Sequence, residues 1–365
     1  MPAQEYIFKL LPACNINCTY CYQNNYNKKR KNTANSIMSP EKFETCLQAA
    51  CENSFNNGLE SISVNLQGGE PLLAGIPRFR KYLQTCRKLE KEYQKKINIS
   101  IQTNGILLNE DWCDLLMEMN CSVGVSFDGP PEVNDLYRKT IDNKGVSKQI
   151  IKGIQMALRY ELSVGTISVI NPGIKGNEVY HFIKGLGIKK MHFLFTAQNW
   201  IFNFFPSNPD CTIIADYLLS VFHEWGNDSD SKIQIPMLSN IIKACAGAVV
   251  SGSSLINTPG EWIVFSHDGY IESGDCYGIC ENRKIMDDNP YNAIKAQEQT
   301  SLYIMQKNGD IIPDKCCNCE FACICKGGSL PFRYSRENGY NNPSYYCEDI
   351  KKILLYFRNA INSLN

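Results

Sequence analysis

The chain has 365 residues, enough for one large domain and a smaller one. Hydrophobic residues make up 44% and charged residues 20%, with 37 basic side chains against 37 acidic ones, a balance that gives no reason to expect nucleic acid or a membrane surface as partner. The 18 cysteines stand out: the opening MPAQEYIFKLLPAC has no basic start and too short an apolar run for a signal peptide, which excludes a secreted disulfide scaffold and predicts metal-binding thiols in a reducing cytoplasm.

The first strand expected is Glu5–Leu11, and residues 14–22, CNINCTYCY, follow it. Cys14, Cys18 and Cys21 have CxxxCxxC spacing, with Tyr20 before the last thiol. Three thiolates on one short loop suit three irons of a cubane iron–sulfur cluster, which normally takes four cysteines. The next one is Cys46, so one iron would stay open. A zinc loop is the plain alternative, although zinc sites usually pair a CxxC with a second pair elsewhere.

This loop resembles that of the radical S-adenosylmethionine (SAM) enzymes. The resemblance implies a [4Fe–4S] cluster whose open iron chelates the amino and carboxylate groups of SAM. It also implies a reducing partner such as flavodoxin or ferredoxin. Reduction then splits the sulfonium to a 5′-deoxyadenosyl radical that takes a hydrogen atom from the substrate.

Beyond the loop, the basic run Lys28-Lys29-Arg30-Lys31 lies in an Asn-rich stretch and reads as a solvated loop. Strands are then predicted at Ser61–Gln67, Ile97–Thr103, Ser122–Phe127, Leu162–Ile170 and Lys190–Thr196. Helices are predicted between them at Pro40–Ser54, Pro77–Lys95, Asn109–Asn120, Ser147–Glu161 and Asn177–Leu186. Ser39-Pro40-Glu41 and Asn109-Glu110-Asp111 carry helix-start signals. About six β-then-α units predict an α/β fold, an open partial (β/α)6 barrel because eight would be needed to close it.

In such a sheet, function collects at the carboxyl ends of the strands. Three of those ends run into Gln67-Gly68-Gly69-Glu70-Pro71, Gln102-Thr103-Asn104-Gly105 and Ser126-Phe127-Asp128-Gly129-Pro130. Each taken singly is also a plain glycine turn. GGEP resembles the family's strand-2 motif, which implies that Gly68, Gly69 and Glu70 face the methionine end of SAM, the acid meeting its ammonium group. SFDGP with Arg138 resembles a subfamily pattern, implying that Ser126 and Arg138 bind the ribose and carboxylate of SAM. Asn104 and Asp128 would support them, and Ser168–Asn171 would border the adenine, though β-propensity alone explains most of that stretch.

WIFNFFPSNP, from Trp200, reads as a hydrophobic cover or a wall of the substrate cleft, and Asp216–Trp225 as an amphipathic helix. Thiols then thicken at Cys245, Cys276, Cys280, Cys316, Cys317, Cys319, Cys323, Cys325 and Cys347. A zinc ribbon is the simple reading, but nine thiols exceed one zinc site and approach two cubanes. The run CCNCEFACICKGG resembles the SPASM extension of radical SAM enzymes that act on ribosomal peptides and proteins.

That resemblance implies one auxiliary [4Fe–4S] cluster fully ligated by Cys316, Cys319, Cys325 and Cys347. It departs at Ser329, where a cysteine is expected, and at Cys276, which comes late. A second auxiliary cluster would therefore draw on Cys245, Cys276 and Cys280, with Cys323 or Cys317 as the fourth. The implied layout is a radical SAM core over 1–205, a bridging region over 206–244 and a SPASM-like domain over 245–365.

GGSLPFRYSRENGYNNPSYYCEDI, residues 327–350, resembles a sub-branch of maturases that form three-residue cyclophanes in a precursor peptide. The expected function is thus crosslinking of an aromatic ring carbon to a β-carbon, with Asp275 a candidate for taking the ring proton or else an exposed hairpin acid. Only 13 residues precede Cys14, too few for a leader-binding module, so a precursor's leader would be bound by the barrel, the bridging region or a separate protein. The alternatives are other SPASM chemistry, namely a thioether bridge or formylglycine formation as in anaerobic sulfatase maturases. The remaining one is a non-catalytic electron carrier or zinc protein.

Overall fold

The computed structural model describes residues 5–23, 36–204, 209–250, 255–258, 262–280, 287–309 and 311–363; the basic run Lys28–Lys31 lies outside them. In chain order the elements begin β1 (Glu5–Lys9), α1 (Pro40–Phe55), β2 (Ser61–Gln67), α2 (Ile76–Tyr93), β3 (Lys96–Thr103), α3 (Glu110–Glu118) and β4 (Ser122–Ser126). They continue with α4 (Pro131–Tyr137), α5 (Ser147–Arg159), β5 (Val164–Val169), α6 (Gly176–Gly185) and β6 (Lys190–Leu194). After α7 (Ile213–Gly226) and α8 (Pro236–Cys245) come β7 (Trp262–Phe265), β8 (Ile271–Glu272), α9 (Pro290–Glu298), α10 (Ser301–Asn308), α11 (Ala322–Cys325) and α12 (Cys347–Asn362).

All six expected strands are present within a few residues of their expected ends, and the five expected helices lie between them. The reasons are local. Ser39 Oγ accepts from Lys42 N at 3.2 Å ahead of Pro40, and Asn109 Oδ1 accepts from Trp112 N at 3.0 Å. Alternation in β2 and β3 buries Ile62, Val64, Leu66, Ile97, Ile99 and Ile101.

The chain divides into two compact units, residues 1–126, 135–165 and 261–304 in one, and 127–134, 166–260 and 305–365 in the other. This is not the linear division expected at 205 and 244. The difference comes from β7, which pairs in parallel with β1 (Glu5 opposite Trp262) and so groups the 262–280 hairpin with the first strand.

In the first unit the strand order is β4-β3-β2-β1-β7-β8, with all neighbours parallel except the antiparallel β7–β8 pair. Tyr6, Ile7 and Phe8 are all buried, as expected of a strand with a neighbour on each side and both faces covered. Phe8, Phe43 and Tyr82 form a chain of ring contacts, with centroids 4.8 and 4.5 Å apart.

In the second unit β5 and β6 are neighbours. A carbon at Gly176 would strike the Tyr217 carbonyl, so α6 and α7 pack where only glycine fits. Phe222 of α7 meets Phe357 of α12 edge-on at 4.7 Å, and the Asp349 side chain accepts from Ala215 N at 2.8 Å. Trp200 donates to the Pro343 carbonyl at 2.9 Å, so this part of the aromatic stretch packs on the tail; 205–208 are outside the described residues. Among the described residues, no helix is long and apolar enough to cross a membrane.

Candidate active site

The cysteine loop leaves the carboxyl end of β1 and is fastened to its own unit by main chain. Asn17 N donates to Lys139 O at 2.7 Å and Thr19 N to Tyr137 O at 3.0 Å. Cys14, Cys18 and Cys21 are all half-buried. Asn104 Nδ2 lies 3.8 Å from Cys14 Sγ and bonds Asn15 Oδ1 at 2.7 Å, and Arg138 Nη1 lies 3.8 Å from Cys18 Sγ. The Arg138 guanidinium also sits 5.5 Å from the Tyr20 ring.

Burial, with Glu70 and the other two thiols nearby, pushes Cys14 up to about 12, so its thiolate needs a bound cation to persist. Among the described residues no three His, Cys, Asp or Glu side chains converge as ligands of one ion do. A cubane takes its anchoring sulfurs on separate corners, so the loop's three thiols suit three corners and leave the fourth iron open.

The GGEP motif makes close main-chain contacts with the start of the cysteine loop. Gly69 N donates to Leu11 O at 2.7 Å and Glu70 N to Ala13 O at 2.8 Å. A Cβ at Gly69 would fall on the Ala13 carbonyl, and one at Gly68, whose φ is +155°, would come 2.6 Å from Leu11 O. The glycines thus bring the end of β2 against the segment that feeds Cys14.

Glu70 is fully buried and accepts from Leu72 N at 3.1 Å, Thr103 Oγ1 at 2.7 Å and Asn104 N at 2.8 Å. Burial lifts its carboxyl to about 7 despite these bonds. The carboxylate expected to meet the SAM ammonium is therefore engaged by the protein, joining the ends of β2 and β3 and positioning Asn104 beside Cys14. Ser126, at the end of β4, accepts from Gln102 Nε2 at 2.8 Å.

Asp128 belongs to the second unit and is 2% exposed. Its Oδ1 accepts from Val169 N at 3.0 Å, and Ser168 Oγ donates to Phe127 O at 2.7 Å, which ties the turn to β5. Asn171 Oδ1 accepts from Gly173 N at 2.9 Å. These groups brace the main chain where SAM contacts were expected.

Asp275 is not a free hairpin acid. Lys9, the last residue of β1, places Nζ 2.7 Å from Glu272 Oε2, 3.2 Å from Asp275 Oδ1 and 2.9 Å from the Asp275 carbonyl. Tyr22, next to Cys21, donates to Asp275 Oδ1 at 2.8 Å. Burial alone would push Lys9 down, but the two carboxylates outweigh it and hold it above its ordinary value. Lys9 had no signal in the sequence beyond a cation ending an apolar strand.

The proposed second cluster set is split: Cys276 and Cys280 lie in the first unit, Cys245 and Cys323 in the second. Burial, then Asp275, pushes Cys276 up to about 12. Cys316, Cys319, Cys325 and Cys347, by contrast, line one small cavity of about 20 Å³ with Phe321 and Ile350. Burial, then Cys347, Cys316 and Cys319, pushes Cys325 up to about 12, and Cys347 rises to about 11. Ser344 and Lys351 border the same recess, so the four thiols share one lining with a hydroxyl and a cation. Cys317 and Cys323 are exposed and do not border it.

Residues 8–185 match the model of the radical SAM superfamily. The chain is 26% identical to a cysteine-type anaerobic sulfatase-maturating enzyme of Clostridium perfringens, over 97% of this chain and 96% of that one. It is 23% identical to a serine-type anaerobic sulfatase-maturating enzyme of Bacteroides thetaiotaomicron, over 92% and 84%. A solved structure described as native anSMEcpe with bound AdoMet and Cp18Cys peptide superimposes with a TM-score of 0.81 at 24% identity, covering 99% of each chain, a likeness of fold. No finding supports the cyclophane sub-branch in particular. The matched segment, residues 8–185, contains the three-thiol loop at the end of β1, and over that segment the chain is similar to the radical SAM superfamily.

Proposed function

We propose that this radical SAM enzyme oxidises the β-carbon of a cysteine or serine in a substrate polypeptide to the aldehyde of formylglycine. The observation that carries the reading is the end-to-end similarity to both cysteine-type and serine-type sulfatase-maturating enzymes, which extends through the cysteine-rich tail. It replaces cyclophane formation as the favoured chemistry.

Cys14, Cys18 and Cys21 would hold the [4Fe–4S] cluster, which with SAM bound supplies a one-electron reductive cleavage and a hydrogen-atom acceptor. Asn104 and Arg138 direct donors toward two of the ligand sulfurs and steady the loop. Taking a carbon from the alcohol or thiol level to the aldehyde level removes a hydrogen atom, a proton and an electron. Asp275, held by Lys9 and Tyr22, is the proton acceptor of choice. Cys316, Cys319, Cys325 and Cys347 would hold an auxiliary cluster, which supplies an electron sink. For cysteine, water then replaces sulfur, which leaves as hydrogen sulfide.

The test is incubation of anaerobically reconstituted, chemically reduced enzyme with SAM and cysteine- or serine-bearing sulfatase peptides. A hydrazide-reactive aldehyde at that residue is expected. Release of 5′-deoxyadenosine together with a peptide two hydrogens lighter and without aldehyde would replace this reading with a crosslinking one, the reading that the tail stretch 327–350 resembles.

A further inference from the structure

The tail stretch GGSLPFRYSRENGYNNPSYYC has one fully buried charge at its centre, Arg333. Its guanidinium donates from Nε to Tyr340 O at 2.9 Å, and from Nη1 to Ile311 O at 3.0 Å and Lys326 O at 3.4 Å. Each carbonyl belongs to a segment that carries a thiol of the four-cysteine recess. Ile311 leads to Pro313, whose carbonyl accepts from Cys316 N at 2.8 Å. Lys326 directly follows Cys325.

Tyr340 leads into Asn342, whose Nδ2 donates to Arg333 O at 3.0 Å, and on to Ser344, whose N donates to Gly327 O at 2.9 Å just ahead of Cys347. Gly327 has φ +84°, and a Cβ there would come 2.5 Å from Pro313 Cδ and 3.5 Å from Arg333 Cζ. Glycine thus lets the guanidinium sit against the turn after Cys325.

A guanidinium in a protein interior is costly unless its donors and its charge are both answered. Carbonyl oxygens answer the Nε and Nη1 donors. A four-thiolate cluster is an anion, and its net charge and surrounding dipoles set its potential.

We propose that Arg333 is the positioning residue of the auxiliary cluster, tying the three ligand-bearing segments together and favouring the cluster's reduced form by its charge. The proposal rests on the reading that Cys316, Cys319, Cys325 and Cys347 hold that cluster. Arg333→Gln removes the charge and keeps a donor; Arg333→Lys keeps the charge and loses the fork.

The experiment compares both variants with wild type and with Cys316→Ala as the blank, using full-length protein reconstituted anaerobically. Iron content is measured, and the SAM-unresponsive cluster is titrated by EPR. Arg333→Gln should move that cluster to lower potential, or lose one cubane's iron while Arg333→Lys retains it. The SAM-responsive signal should persist in both. A wild-type potential and iron content in Arg333→Gln, or equal deficits in both variants, overturns the proposal alone. Wild-type protein with no SAM-unresponsive cluster sinks the four-thiol reading and the proposal with it.

Discussion

Gly69→Ala is the sharpest probe of how the cluster loop is built. A Cβ at this position would overlap the Ala13 carbonyl, so the end of β2 and the segment Leu11–Ala13 would have to part by about 1 Å. That separation breaks the bonds from Gly69 N to Leu11 O and from Glu70 N to Ala13 O. Two main-chain hydrogen bonds at about 1 kcal/mol each, plus about 1–3 kcal/mol of overpacking, give a loss of about 3–5 kcal/mol. For units of this size, that loss lowers the melting temperature by roughly 10 °C. Gly185→Ala is the control, because nothing lies within 4 Å of its added carbon. Thermal melts of cluster-free protein and iron retention after desalting read the two effects separately. Wild-type melting and full SAM-responsive iron in Gly69→Ala would refute the close approach on which this account of the motif depends.

Further outcomes concern single groups. Cys316→Ala should remove one cubane's iron and end aldehyde formation while leaving SAM cleavage measurable by release of 5′-deoxyadenosine. Asp275→Asn should keep SAM binding and cleavage but slow product formation by about 10²–10⁴-fold, the usual contribution of a positioned base; unchanged product formation would remove Asp275 from the mechanism. Glu70 has a raised folded-state pKa, so the native protein holds its proton more tightly than the unfolded chain. Its contribution to stability is present below the ordinary value of 4.5 and is lost as pH rises through about 7. That displacement is worth about 3 kcal/mol, and Glu70→Gln should flatten this part of the stability profile of cluster-free protein.

The βα pairs were legible because their signals are local. Alternation in SISVNLQ and KINISIQT and the Ser39 and Asn109 caps each operate within a few residues. Thiol spacing was legible for the same reason. The partner of β1 on its far side was not, since nothing in WIVF names a strand so distant in sequence. The donors around Glu70 were not legible, because a motif shows which residue is present and not which way its carboxylate faces. Here three nearby donors take it inward. Lys9 and Arg333 look like ordinary surface cations in sequence. Only long-range folding supplies the carboxylates and carbonyls that enclose them.

The pairing of β1 with β7 also bears on how the chain matures. Glu5 and Trp262 are 257 positions apart, so the strand that presents the three thiols gains its second neighbour only after most of the polypeptide has been synthesised. Closing a loop of that length is slow, and until it closes one edge of β1 stays open to solvent and to other chains. Iron loading of the nascent protein would therefore meet a loop anchored on one side, and delivery after release from the ribosome is the order that this topology favours.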